Sequence, residues 1–176
     1  DAGFYQAWAG AFAYALQLYF DFSAYSDMAI GLGLMLGFRF PCNFNSPYKA
    51  TSITDFWRRW HISLSKWLRD YLYIPLGGNR RGGARTYANL LTTMLLGGLW
   101  HGAQWTFLIW GAIHGLALAA ERIAQGRVLG WLPHRWRVAW TFFLVTCGWI
   151  VFRAPDMETA LAMYRGMFGL NGLGQL

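Results

Sequence analysis

The chain has 176 residues and a net charge of +7; 56% of it is hydrophobic, 19% aromatic and only 13% charged. Soluble domains carry about 25% charged residues, so the composition excludes an ordinary water-soluble globule and points to a bilayer as the natural solvent. Cys42, in a polar loop, and Cys147, in an apolar run, give neither a disulfide framework nor a metal site. The sequence begins at Asp1 with no signal peptide ahead of it and is expected to be an internal piece of a longer protein.

The first apolar block, residues 2–20, has no charge. Residues 2–38 predict two membrane helices interrupted between Asp21 and Asp27, with Gly31, Gly33 and Gly37 as small packing surfaces. Hydrogen bonds from Ser23, Tyr25 or Ser26 are expected to satisfy the two carboxylates. Ionisable groups between apolar runs also mark ion paths, so a transporter or channel is the alternative from another class. FPCNFNSPY then signals a connecting loop.

Residues 39–85 carry nine Lys and Arg against Asp55 and Asp70, leaving six charges of each sign elsewhere. The whole excess sits in one segment, expected on the cytoplasmic side. Its apolar neighbours favour a lipid surface or an acidic donor over nucleic acid. Ser52 followed by Asp55 resembles a capping box. At about 100° per residue, Phe56, Trp60, Leu64, Trp67, Leu68 and Tyr71 share one arc, with Arg58, Arg59, Lys66 and Arg69 opposite. One amphipathic helix is predicted, with His61 near the edge of its apolar arc and Pro75 and the Gly77 to Arg81 turn ending it.

Residues 86–120 carry no charge. As one helix they would reach about 50 Å, well past a hydrocarbon core of about 30 Å. A broken membrane helix is predicted, with Gly97, Gly98 and Gly102 as breakpoints, and irregular backbone at that depth implies a cavity. His101 lies at this point, in LLGGLWHGAQW. It is either functional or an imidazole satisfied across a helix contact. His114 has the same claim, but thirteen residues on an ideal helix place the two about 220° apart. Trp57, Trp60, Trp100, Trp105 and Trp110 are assigned to the core or an aromatic belt. A basic connector over residues 122–137 leads to a short membrane helix over 138–153, and residues 155–170 predict an interfacial helix.

GxSxG, GxxxxGKS, HExxH and CxxC motifs are absent from the sequence. That disfavours a serine hydrolase, a P-loop ATPase and zinc chemistry. A histidine in a water-poor cavity suits proton abstraction from an alcohol, which can then attack an activated acyl group directly.

YFDFSAYSDMAIGLGLMLGFRFPCNFNSPY, DFWRRWHISLSKWLRDYLYIPLGGNRRG and NLLTTMLLGGLWHGAQWTFLIWGAIHG together resemble the C-terminal half of the membrane-bound O-acyltransferase family, closest to its alginate-acetylating branch. The resemblance implies an all-α, polytopic bundle with amphipathic or re-entrant helices and a tunnel joining its two faces, in a bacterial inner membrane. It implies that His101 is the general base and that His61 orients or polarises the donor. Trp60, Ser65 and Trp100 are expected to line the substrate tunnel, and His114 to be structural. It also implies transfer of an acetyl group from acetyl-CoA or an acyl carrier thioester, as substrate and with no bound cofactor or metal. The acceptor would be an extracytoplasmic polysaccharide, alginate first, with peptidoglycan or teichoic acid as alternatives. Membrane lipid and a periplasmic acetyltransferase are the implied partners.

Overall fold

A computed structural model describes residues 2–124 and 130–174, and every regular element among them is helical. The first helix, α1 (Phe4–Met35), is continuous, which corrects the expected interruption at Asp21 to Asp27. Both carboxylates are exposed, so they leave the backbone ladder untouched. The Ser23 hydroxyl donates to the Phe20 carbonyl rather than to either of them. Ala7, Ala11 and Ala15 recur every fourth residue and bury one face. Gly37, at φ +82°, ends the helix: Phe38 N donates to Gly33 O and Gly37 N to Leu34 O, the paired bonds of a Schellman motif.

A loop with one 3₁₀ turn (Pro47–Lys49) crosses to α2 (Ile53–Arg59). It is anchored where the Tyr48 hydroxyl donates to Ala15 O. Ser52 caps α2 by accepting from Asp55 N. The reciprocal half of a capping box is missing, since the Asp55 carboxylate instead accepts from Thr51 N and Arg59 Nε.

The single amphipathic helix expected from residue 55 onward is also corrected. The chain stops at Trp60, turns at His61, and restarts as α3 (Ile62–Leu68), which runs into a π-helical turn (Arg69–Tyr73). The physical reason lies in the preceding loop. Asn43 O accepts from Ile62 N, Asn43 Oδ1 accepts from Ser63 N and Ser63 Oγ, and Asn45 N donates to Arg59 O. Backbone groups that a break would orphan find partners there, so the break costs little.

The uncharged block forms a tight pair, α4 (Gly83–His101) and α5 (Trp105–Ile123), joined at residues 102–104. Of the three candidate breakpoint glycines, Gly102 ends α4 while Gly97 and Gly98 lie inside it. Gly98 and Gly111 serve closeness: a Cβ on Gly98 would collide with Phe107 O, and one on Gly111 with Met94 O. Then come α6 (His134–Arg153) and α7 (Met157–Met167), the latter capped by Asp156 accepting from Thr159 N. Residues 125–129 of the expected basic connector lie outside the described residues. Helix α6 packs on α1 and α5, and the segment after α7 returns to the start of α1, where Phe4 N donates to Gly172 O. The core between them is aromatic, built on Phe56, Trp57, Trp60, Trp110 and Trp149.

Among the described residues, no helix is long and apolar enough to cross a membrane. Length is not what falls short, since α1, α4, α5 and α6 have 32, 19, 19 and 20 residues. Their hydropathy is diluted by Trp, Tyr, Gly and Thr and by polar residues such as Asn89, His114 and Arg137.

Candidate active site

His101 is the last residue of α4, and Gly102 follows it in extended backbone. A Cβ on Gly102 would lie 2.7 Å from Cδ2 of Phe107. A larger residue there would force the Phe107 ring to move. The half-buried imidazole is walled by Trp100, Trp110 and Phe152, with ring centroids 5.0, 5.3 and 5.1 Å away. Among the described residues, no hydrogen bond engages its ring nitrogens.

His61 sits at the break between α2 and α3 with φ +42° and ψ +57°. Residues with a Cβ seldom occupy this left-handed region, and such strain concentrates at functional sites. The surrounding bonds enforce it: Trp60 N is tied to Phe56 O, and Ile62 N to Asn43 O. The turn directs the imidazole against Phe22, with centroids 4.7 Å apart. Its Nδ1 is buried without a partner. Burial pulls the imidazole down to about 4 from its ordinary 6.5, and His101 pushes it the same way. His61 is therefore neutral at physiological pH.

The two histidines line one cavity of about 260 Å³, together with Trp60, Trp100, Leu64 and Phe152. They come from elements forty residues apart, brought together because the α2–α3 break lies over the end of α4. Of the expected site residues, His61, His101, Trp60 and Trp100 meet here. Ser65 does not: it faces a second cavity, and its hydroxyl donates to Trp60 O. In that role it bridges the break and does not touch the histidine chamber.

The second cavity, about 430 Å³, lies on the other side of Trp57 and is rimmed by Arg58, Lys66, Arg69 and Arg122. Arg69 pairs with Asp70. The other three have no ion-pair partner among the described residues. This concentration of cations beside the histidine cavity suits an anionic ligand.

His114 is buried in the core, 1% exposed, and accepts from Trp57 Nε1 at 3.2 Å on its Nδ1. It is absent from the histidine cavity, as the break in the helix and its inward position require. Asp21 and Asp27 are exposed on α1 and line neither of these two cavities. Sequence reasoning missed the roles of Asn43, Phe22 and Trp57. Asn43 had a local signal, an asparagine in a proline-flanked loop. The other two are apolar residues whose sequence pattern matches that of core.

The membrane-bound O-acyltransferase family model matches residues 2–154. Over 169 residues the chain is 63% identical to a Pseudomonas aeruginosa protein described as "Probable alginate O-acetylase AlgI", covering 94% of this chain and 32% of that one. It is 50% identical over 180 residues to the peptidoglycan O-acetyltransferase of Helicobacter pylori, covering 97% and 33%. A teichoic acid D-alanyltransferase of Bacillus subtilis is 31% identical over 156 residues, covering 80% and 39%. The chain thus spans about a third of the length of these curated relatives.

Proposed function

Because the chain belongs to the membrane-bound O-acyltransferase family, we propose that it carries the catalytic histidines of an integral membrane enzyme. That enzyme moves an acetyl group from a cytoplasmic thioester donor to a hydroxyl of an extracytoplasmic polysaccharide. The observation that carries this reading is the convergence of His61 and His101 on one aromatic-walled cavity. Alginate is the leading acceptor, supported by the 63% identity to the Pseudomonas protein. The Helicobacter relative makes peptidoglycan the next acceptor to test.

A bilayer location is supported by helix length and by the outer surface. At about 1.5 Å per residue, α4, α5 and α6 reach about 28–30 Å, close to a hydrocarbon core. Leu16, Phe20, Met28 and Leu32 on α1 and Leu116 on α5 are exposed, as residues facing lipid would be. The bacterial inner membrane, with the cationic groove toward the cytoplasm, is the matching orientation.

In the reaction, a ring nitrogen of His101 takes the proton from the acceptor hydroxyl, and the oxygen attacks the thioester carbonyl carbon. Collapse of the tetrahedral intermediate forms the ester and breaks the C–S bond. The leaving thiolate recovers its proton from the imidazolium. His61 donates an N–H toward the carbonyl oxygen, where negative charge develops. No nucleophilic side chain is needed, and the apolar walls exclude competing water. The donor, acetyl-CoA or an acyl carrier thioester, brings negative charge that Arg58, Lys66 and Arg122 would meet. The acetyl group reaches the polymer directly or through a periplasmic acetyltransferase partner.

The test is acetylation of isolated polymers in cells making the full-length protein, wild type beside His101→Ala, with equal membrane insertion confirmed. Wild type should label alginate and the variant should not. Equal labelling of both would remove His101 from the chemistry. Label on peptidoglycan alone would replace the acceptor.

A further inference from the structure

Among the described residues lining the histidine cavity and the cationic groove, Trp57 is the one they share. Its indole stands between a chamber of about 260 Å³ and a groove of about 430 Å³. Its side chain is therefore a wall common to both.

Trp57 is also fixed. It lies on α2 at 9% exposure, flanked edge-on by Phe56 and Trp110 with centroids 5.8 and 5.7 Å away. Its single polar atom, Nε1–H, donates to His114 Nδ1. An accepting Nδ1 places the proton of the neutral imidazole on Nε2, which faces Gly148, where an added Cβ would come within 3.2 Å. Nε2 has no acceptor among the described residues. Trp57 is therefore the one hydrogen-bonding partner of the His114 side chain there, and the two rings form a unit.

We propose that Trp57, anchored by His114, is the partition between the groove and the histidine cavity, and that it sets the length of acyl group that reaches the histidines. The inference rests on the acyl-transfer reading above and adds a specificity determinant to it. A rigid indole at the threshold leaves a chamber suited to a short acyl group; a smaller side chain there merges chamber and groove and admits a longer one. His114 is a positioning residue, acting only through the ring that it holds. Apolar pockets discriminate roughly tenfold or more per methylene, so removing the partition has a measurable signature.

The experiment uses the full-length protein in membranes with its polymer acceptor and compares two-carbon, four-carbon and six-carbon acyl-CoA donors. In Trp57→Ala the ratio of six-carbon to two-carbon transfer should rise about tenfold or more over wild type, and in Trp57→Phe by less. His114→Gln, whose amide oxygen can still accept from the indole N–H, should keep the wild-type ratio, whereas His114→Leu should raise it. A merely structural histidine would lower all donors alike. Wild-type ratios in both Trp57 variants, equal ratios in the two His114 variants, or inactivity of both Trp57 variants at normal insertion would each overturn the partition.

Failure of the acyl-transfer reading looks different, because wild type then transfers no acyl group of any length. In that case the partition is read by access. Iodoacetamide should modify a Leu64→Cys side chain in the cavity wall faster when Trp57 is Ala than when it is Trp. Equal rates would overturn it.

Discussion

Asn43 Oδ1 accepts from both the backbone N–H and the hydroxyl of Ser63, at 3.0 and 2.9 Å. This one side chain, reaching from the loop after α1, closes the first turn of α3 and so fixes where that helix restarts. His61 is left two residues earlier, in its left-handed turn toward the cavity. Asn43→Ala should cost about 1 kcal/mol, as for loss of a helix cap. It should lower acyl transfer more than a comparable loss elsewhere, because His61 loses its bearing. Asn43→Asp, which keeps the acceptor, should recover most of the activity. Thermal unfolding and transfer assays on the same purified full-length protein check both.

The paired roles assigned to His101 and His61 predict a non-additive response. Loss of a general base or of a positioned donor is worth about 10²–10⁴ in rate. His101→Gln, which keeps the size of the side chain but not its basicity, should fall by that order with insertion unchanged. His61→Gln should fall less, since an amide N–H can still reach a carbonyl oxygen. The double variant should be little worse than His101→Gln, as groups acting as a unit behave. Rates that multiply independently would separate the two histidines into different steps.

The sequence made helix the dominant element legible, along with the Ser52 cap and the break at Gly102, because these depend on neighbours within a few positions. It also singled out His61 and His101 through the motifs around them. It did not show that α1 runs unbroken past Asp21 and Asp27, since whether a carboxylate interrupts a helix depends on which way it faces. Nor did it show the break at Trp60 to His61. Helical periodicity continues through that point, and the competing bonds come from Asn43 and Asn45, well upstream. Trp57 was legible as core but not as a threshold, because only the packed structure puts one indole on two cavities.

His61 makes stability depend on pH with a definite sign. Its unfolded pKa is near 6.5, while burial lowers the folded value to about 4. Between those values the unfolded chain binds a proton that the folded chain does not, so stability falls as pH drops from 6.5 toward 4 and is fully present above 6.5. His61→Gln should flatten part of this dependence. The unfolding temperature of wild type should therefore fall more steeply than that of the variant as pH is lowered from 7.5 to 5. Parallel curves would show that His61 does not contribute.

Glycines on two helices should answer oppositely to alanine. Gly111 meets the α4 backbone so closely that a Cβ would strike Met94 O, and α4 would have to move away, whereas Gly31 has nothing within 4 Å of where its Cβ would stand. Overpacking costs about 1–3 kcal/mol, so Gly111→Ala should lower the unfolding temperature. Gly31→Ala should hold or raise it, because glycine in a helix interior is worth roughly 0.5–1 kcal/mol less than alanine. A neutral Gly111→Ala would mean that the α4–α5 contact is looser than the geometry requires.

The cationic groove predicts where donor binding and chemistry separate. Arg58, Lys66 and Arg122 rim it without touching the histidine chamber, so a donor bound as proposed would meet them equally before and during transfer. Removing such uniform binding raises KM and leaves kcat alone. Arg58→Gln and Lys66→Gln should each raise KM for acetyl-CoA several-fold, an effect that shrinks as salt is added because exposed charges are screened over about 8–10 Å. Arg69→Gln should do less, since its guanidinium is already engaged by Asp70. If kcat falls instead and KM holds, these cations act on the reacting thioester, and the donor lies with its acyl end, not its phosphates, in the groove.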